Sequence, residues 1–461
     1  MSHLRFTILL ASLWACGGTD GPCDPHARTG CGDGQVCEQV ANGTPTCFAP
    51  VLVQGRVLDL TNTHAIAGAR VEAVDVNGAA VSSVTISGSD GKYVLPVPIE
   101  RAADGTLSAL SFTLRADAAG FQTFPNGVRE ALPIDVSAAM GTAANGFTLQ
   151  STLTDIGLIP LPAGSASGSI HGTAAIADDH AGVLVVAETA GKGSVAIASL
   201  DGDYAILNLA PAHYTVTAYA RGHVYTPREI DVATGDVKVD LSLAGDVPGS
   251  VSGQVSIVNG GGSSMTSVVL FVESTFDTTT GRGVVPPGLR APNAGVPNVT
   301  GAFTIDQVPP GKYVAVAAFE NDGLVRDPDL CIAGTTDAHV TVVANQPASL
   351  TQTFKVTGAL AVVAPGANLP EAVAATPMFS WSDDAGEDQY LIEVFDAFGQ
   401  LTWSTTIPGV SGGSPTLTYA GPALAAGMYY QFRVTSSKQQ GAGQRCALSR
   451  TEDLRGVFYI Q

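Results

Sequence analysis

Two stretches of the chain share one spacing: Asp201-Gly202-Asp203-Tyr204-Ala205-Ile206, followed by Leu209, Pro211 and Tyr214, and Thr300-Gly301-Ala302-Phe303-Thr304-Ile305, followed by Val308, Pro310 and Tyr313. A looser copy opens at Asp90-Gly91-Lys92-Tyr93-Val94-Leu95. Each copy is preceded by a segment that starts near a glycine: Gly55-Arg56-Val57, Gly172-Thr173-Ala174 and Gly253-Gln254-Val255. A unit that recurs at this interval predicts three domains on one plan. Around these units apolar residues fall at every second position. Leu110, Phe112, Leu114 and Ala116 alternate with Ser111, Thr113, Arg115 and Asp117, as Val237, Val239, Leu241 and Leu243 do with Lys238, Asp240 and Ser242. Tyr430, Phe432 and Val434 alternate with Gln431, Arg433 and Thr435 in the same way. A period of two puts one face of a strand in a core and the other in water. Asp90-Gly91 and Asp201-Gly202 supply tight turns. No stretch keeps a helical period over three turns, so the expected fold class is all-β: tandem antiparallel β-sandwiches.

Composition agrees. Of 461 residues 45% are hydrophobic and only 14% charged, with 53 Gly and 27 Pro. That excludes long disordered polyelectrolyte tracts and leaves helices few charged residues for their wet faces. Lys and Arg number 22 against 41 Asp and Glu, a formal charge of −19. With no cluster of basic residues, nucleic acid is excluded as a partner.

Residues 1–15 carry one positive charge, Arg5, ahead of the apolar run Phe6 to Trp14, which is too short to span a bilayer permanently. They read as a secretory signal. The segment ends in Leu13-Trp14-Ala15-Cys16, which resembles the bacterial lipobox, with Trp14 departing from the small residue usual there. The resemblance implies a diacylated Cys16 as mature N-terminus, a tether over 16–22, and a membrane partner reached through lipid. Gly17 after the cysteine implies the outer membrane or cell surface. The alternative is an ordinary signal cut nearby, leaving a secreted protein. Two acyl chains, at about 0.8 kcal/mol per buried methylene, would make desorption negligible.

Six further cysteines allow three pairs. Cys23, Cys31, Cys37 and Cys47 lie in a Gly- and Asp-rich segment, 23–50, with too few apolar residues for a core, so two disulfides are expected to hold it. Three connectivities remain open. Zinc is the rival reading, disfavoured because no Cys-x2-Cys is present. Cys331 and Cys446 would form the third pair and close a loop of more than a hundred residues.

The first repeat resembles the carboxypeptidase regulatory-like family, a transthyretin-like β-sandwich, through Gly55, Val57, Gly68, Ala69, Val71, Asp90, Gly91, Tyr93, Ala116 and Phe121. It departs by an insertion around Ala102 to Leu107. The second and third repeats lack a clean Gly-Ala-x-Val, and the third carries a long loop from Thr278 to Val299. The resemblance implies three Greek-key sandwiches, 51–160, 165–245 and 249–357, acting as non-catalytic modules. Tyr93, Tyr204 and Phe303 are expected core anchors. The last part, 358–461, is similar to a fibronectin type III or related immunoglobulin-like sandwich, on Pro377-Met378-Phe379-Ser380-Trp381, Tyr390 to Val394 and Leu424 to Val434. Trp381 should fill its centre. Short joints at 161–164, 245–249 and 357–358 predict a string of modules with limited flexibility.

Signals for chemistry are sparse. None of the eight histidines opens a His-Glu-x-x-His, so a carboxypeptidase zinc centre is not expected. Gly409-Val410-Ser411-Gly412-Gly413 fits Gly-x-Ser-x-Gly in letters, but Ser414-Pro415 and a strand follow where a helix would have to. Neither Gly191-Lys192 nor Gly260-Gly261-Gly262 makes a phosphate loop. The acidic groups Asp383-Asp384-Ala385-Gly386-Glu387-Asp388 and Asp322, Asp327, Asp329 lack the alternating oxygens of a calcium loop and read as solvated, with weak calcium binding at most. No cofactor and no catalytic residue is expected. The leading expectation is a non-catalytic surface module whose partners are envelope proteins or polysaccharide. The alternative is a carbohydrate-binding or adhesion protein that stacks sugars on Tyr219 and Tyr225, whose strand parity leaves them outward or ambiguous.

Overall fold

The computed structural model describes residues 23–25, 29–75, 78–126, 129–143, 145–164, 167–175, 182–258, 266–293, 297–317, 324–326, 331, 334–384, 386–441, 443–452 and 455–461. The leader, Cys16 and the tether, the Gly260 run and the Asp322, Asp327, Asp329 group lie outside the described residues. Among the described residues the named elements are strands and two short 3-10 turns.

In the first sandwich Val51–Asp59 is the central strand. It pairs antiparallel with Lys92–Val97 on one side and parallel with Gly146–Leu149 and then Ile156–Leu158 on the other. The facing sheet runs Thr85–Ile86, Arg70–Val74, Ser111–Asp117, Ile134–Asp135. The second sandwich repeats the plan with Asp203–Leu209, Gly168–Thr173, Gly235–Lys238 against a sheet centred on Val183–Thr189 and Ala212–Ala220. The third does so with Ala302–Val308, Gly249–Val258, Pro347–Gly358 against Val268–Val272, Gly311–Ala317 and Ala338–Val342. Within the three repeats pairing is otherwise antiparallel, but in each the first strand has its returning last strand parallel beside it. The last sandwich sets Val362–Ala364, Met378–Trp381, Thr416–Thr418 against a larger sheet built on Gln389–Asp396 and Tyr429–Gln440.

The repeat has one physical centre, a glycine facing an aromatic residue across two antiparallel strands. Gly55 pairs with Tyr93, Gly172 with Tyr204 and Gly253 with Phe303. All three rings are buried. A Cβ on Gly55 would lie 1.9 Å from the Thr154 carbonyl oxygen, and one on Gly172 1.9 Å from that of Val239. The bare glycine therefore lets a third backbone segment approach. The tyrosine hydroxyl then donates to that same carbonyl, Tyr93 to Thr154 and Tyr204 to Val239 at 2.7 Å. Phe303 has no hydroxyl, and there its ring fills the space over Gly253, 2.6 Å from where a Cβ would stand.

Trp381 is fully buried in the last sandwich, edge-on to Tyr390 at 5.4 Å. Two alternation readings need correction. Leu110 lies just outside its strand and is exposed, and the supposed wet faces at Arg115 and Gln431 are buried. Arg115 is covered by the second module, to whose Val195 carbonyl it donates, and Gln431 bonds Arg455 and Arg433 within its own sandwich. Nor do the modules form a string: the first touches the second, third and fourth, as the side-chain contacts below show.

Candidate functional site

Where the expected water-facing charges went decides what the molecule can do. They line the seams between modules. The disulfide module is fixed to the first sandwich by Arg101, whose guanidinium is 1% exposed and paired with Glu38, itself buried. Arg101 donates to the carbonyl of Ala49 at 2.9 Å and lies over the rings of Phe48 and Phe147, at 4.8 and 5.3 Å. The Ile99 N–H completes the Glu38 carboxylate at 3.0 Å. The insertion around Ala102 to Leu107 forms this dock: its backbone turns through a bridge between Arg101 and Leu107, and the Gly105 carbonyl takes a further bond from Arg101. A charge removed from water this completely is tolerable only with every partner in place.

At the second seam Asn208 and Gln307 occupy the same repeat position, four residues after Tyr204 and Phe303, and both have positive φ, 61° and 60°. Each reaches back to the glycine turn of the preceding module. The Gly120 N–H donates to Asn208 Oδ1 at 2.7 Å, and Asn208 Nδ2 donates to the carbonyls of Ala118 and Phe121. The Gly222 N–H donates to the Gln307 carbonyl at 2.8 Å. The same repeat position meets the same kind of turn twice, through the side-chain amide of Asn208 and through the backbone carbonyl of Gln307. The overlay of repeats shows an amide side chain at this position in both copies, a signal the alternation does not interpret.

The adjacent dipeptide Arg129-Glu130 joins three modules. Arg129 Nε and Nη2 donate to the Phe398 carbonyl of the last sandwich at 3.0 and 2.9 Å, and Nη2 also to Gly157 at 2.6 Å. Glu130 pairs with Arg282 of the third sandwich at 2.8 Å and with Arg433 of the last at 3.2 Å. Leu132, Ala397 and Val457 close an apolar patch beside them.

The cysteines pair as Cys23–Cys37, Cys31–Cys47 and Cys331–Cys446. The N-terminal connectivity is interleaved, and the third bond ties the third module to the last. Sγ atoms of Cys23, Cys31 and Cys47 lie within 4.8 Å of one another, but as disulfides they offer no thiolate to zinc.

In the Asp383 to Asp388 loop Asp388 is exposed and Asp383, Asp384 and Glu387 are half-buried, and all four carboxylates carry hydrogen bonds. Asp383 accepts from the Tyr390 hydroxyl at 2.8 Å and the Gly412 N–H at 2.7 Å, Asp384 from Ser436 at 2.6 Å, Glu387 from the Val410 N–H at 3.1 Å and Asp388 from the Gln439 N–H at 2.8 Å. Carboxylates placed against N–H and O–H donors pin two loops together, and the donors to Asp388 hold its carboxyl below the usual range. Ser411 sits on the exposed far side of that clasp, and the strand Thr416–Thr418 follows it rather than a helix. His213 lies between Asp231 at 2.8 Å and Glu229 at 2.9 Å. Both ring nitrogens face carboxylate oxygens, so both must donate, and these partners raise the imidazole above its ordinary value.

Tyr219 and Tyr225 are not sugar platforms. Tyr219 is buried at the seam with the third module, edge-on to Tyr313 at 6.0 Å, and Tyr225 is buried with its hydroxyl on the Ala175 carbonyl at 2.6 Å. Parity pointed Tyr219 away from its own core, and a neighbouring module covers it. Among the described residues no aromatic side chain is exposed.

No family model matches the chain, and no curated protein matches it. The regulatory-like resemblance therefore rests on the residues quoted for it. Among solved structures the chain is similar to the Bacillus anthracis TIE protein, at 12% identity over 92% of this chain and 73% of that one, with a TM-score of 0.16. It is similar to the major pilin subunit of Bacillus cereus, at 11% identity over 66% and 99% of the two chains and a TM-score of 0.18. A DUF3823 family protein from Bacteroides uniformis shares 13% identity over 44% and 96%, with a TM-score of 0.19. At such scores the likeness says nothing about what this chain binds.

Proposed function

We propose that the chain is an exported, lipid-anchored, non-catalytic scaffold that holds four β-sandwiches as one body at the outer membrane or cell surface. The observation that carries this reading is the use of cysteine. Three disulfides employ six of the seven cysteines, and the seventh is Cys16 of the lipobox-like segment. Disulfides belong to an oxidising compartment. Buried charges at the seams support a mechanical role, because they fix module orientation rather than face a cleft. The regulatory-like and fibronectin-like assignments of the modules belong to the same proposal, as do partners among envelope proteins.

The test is metabolic labelling with an alkyne fatty acid in the native host, comparing the wild type with Cys16→Ala. Labelled wild type in the membrane fraction and unlabelled variant is the expected result. Wild type that is unlabelled and found in the medium would leave a secreted protein instead.

A further inference from the structure

Beyond that role, one seam contains a carboxyl group whose surroundings do not suit its charge. Glu72 lies at the centre of Arg70–Val74, on the face of the first sandwich that the second covers, and is 5% exposed. Among the described residues its ion-pair partner, Arg115, is shared with other groups. Arg115 Nε and Nη2 bond Asp117 at 3.1 and 3.3 Å, and Nη2 crosses the seam to the Val195 carbonyl at 3.2 Å. Glu72 Oε1 is left with a 3.6 Å contact to Arg115, and Oε2 has no hydrogen-bond donor among the described residues. A water-sized cleft opens beside it, between Arg70, Glu72 and Asp117 on one side and Ala196, Ile197 and Ala205 on the other.

We propose that Glu72 is a proton-controlled latch between the first and second modules, which keeps the seam closed while its carboxyl is protonated and loosens it when the carboxylate forms. A neutral carboxyl suits an apolar seam, whereas a carboxylate there is cut off from bulk solvent and shares its cation, Arg115 at 3.6 Å, with Asp117. The charged groups facing it are Arg115, Asp117 and Arg70 of its own module. The second module's strands present Ala196, Ile197 and Ala205, with Lys192 and Asp203 only at their exposed ends. Burial pushes the carboxyl up to about 7, opposed by Arg115 and Arg70 and reinforced by Asp117. The proton is then bound more tightly in the closed seam than in solvent. Closure is favoured at and below the ordinary glutamate value, weakens as pH climbs from there to about 7, and is insensitive above.

Hydrogen exchange of the full oxidised chain, corrected for the intrinsic pH dependence of exchange, tests this. Between about pH 5.5 and pH 8 the opening constant of Arg70–Val74 and Lys192–Ala198 is expected to rise roughly 25-fold in the wild type, and to stay level in Glu72→Gln, which keeps a neutral side chain. Wild type and variant responding alike would overturn the proposal. Should Glu72→Gln not fold, the wild type decides alone. Exchange at this seam must rise over that window relative to Gly311–Ala317, in the core of the third module, and equal profiles at the two places would overturn it.

Discussion

Arg101 illustrates how single residues set this architecture. Its pair with Glu38 is removed from water, stacked between Phe48 and Phe147, and joined to two backbone carbonyls. Such a pair adds little net stability over apolar residues of similar size, yet breaking it leaves an uncompensated buried charge. Arg101→Met is therefore expected to lower stability by about 3–5 kcal/mol, and Glu38→Leu combined with Arg101→Met to recover most of the loss. Urea unfolding of the two single variants and the double variant checks it; a double variant as unstable as the sum of the singles would show the pair to be independent. Asn208 acts similarly at the next seam. Asn208→Ala removes three bonds to the turn at Ala118 to Phe121 and keeps a positive φ that alanine disfavours, so a loss of about 2 kcal/mol is expected. Asn208→Gly, freed of the backbone penalty, should lose less in the same assay.

At the scale of the element, the glycine-to-aromatic pair explains why the repeat was legible. A Gly, then 32 to 50 residues later an aromatic just after a turn, is a pattern that alternation and the turn expose, because a close-approaching backbone at Gly55 and Gly172, and the Phe303 ring at Gly253, leave no room for a side chain. The ranking of substitutions follows from the geometry. Gly172→Ala must displace the Val239 backbone and is expected to destabilise by about 3 kcal/mol or more, while Tyr204→Phe leaves one buried carbonyl unpaired, about 1–2 kcal/mol. Thermal unfolding of both variants checks the order, and a tolerated Gly172→Ala would refute the packing argument. What alternation misread were the second faces. Arg115 and Tyr219 sit at positions that point away from their own cores, and a period of two cannot tell water from a neighbouring module. In the acidic loop the sequence does not show the partners: the turn at Gly409 to Gly413 donates to Asp383 and Glu387, and Ser436 to Asp384.

For the whole molecule, short joints suggested a string because linker length limits reach but says nothing of surface complementarity. The contacts form a closed circuit: the first sandwich meets the last through Arg129 and Phe398, and the third meets the last through Cys331–Cys446. The disulfide encloses 115 residues, for which the chain-entropy model gives about 4–5 kcal/mol. In a circuit, links that hold the same module act in parallel. Opening one leaves the last sandwich held by the other, so effects on shape must be non-additive. Arg129→Ala alone, and Cys331→Ala with Cys446→Ala alone, are each expected to leave the radius of gyration from small-angle scattering unchanged, whereas loss of the disulfide together with Arg129→Ala, Glu130→Ala and Leu132→Asp, which also removes the Arg433 pair and the apolar patch between the same two sandwiches, swings the last sandwich out and enlarges it. Expansion in either partial variant would mean that the two links act in series, and that the modules are held end to end after all.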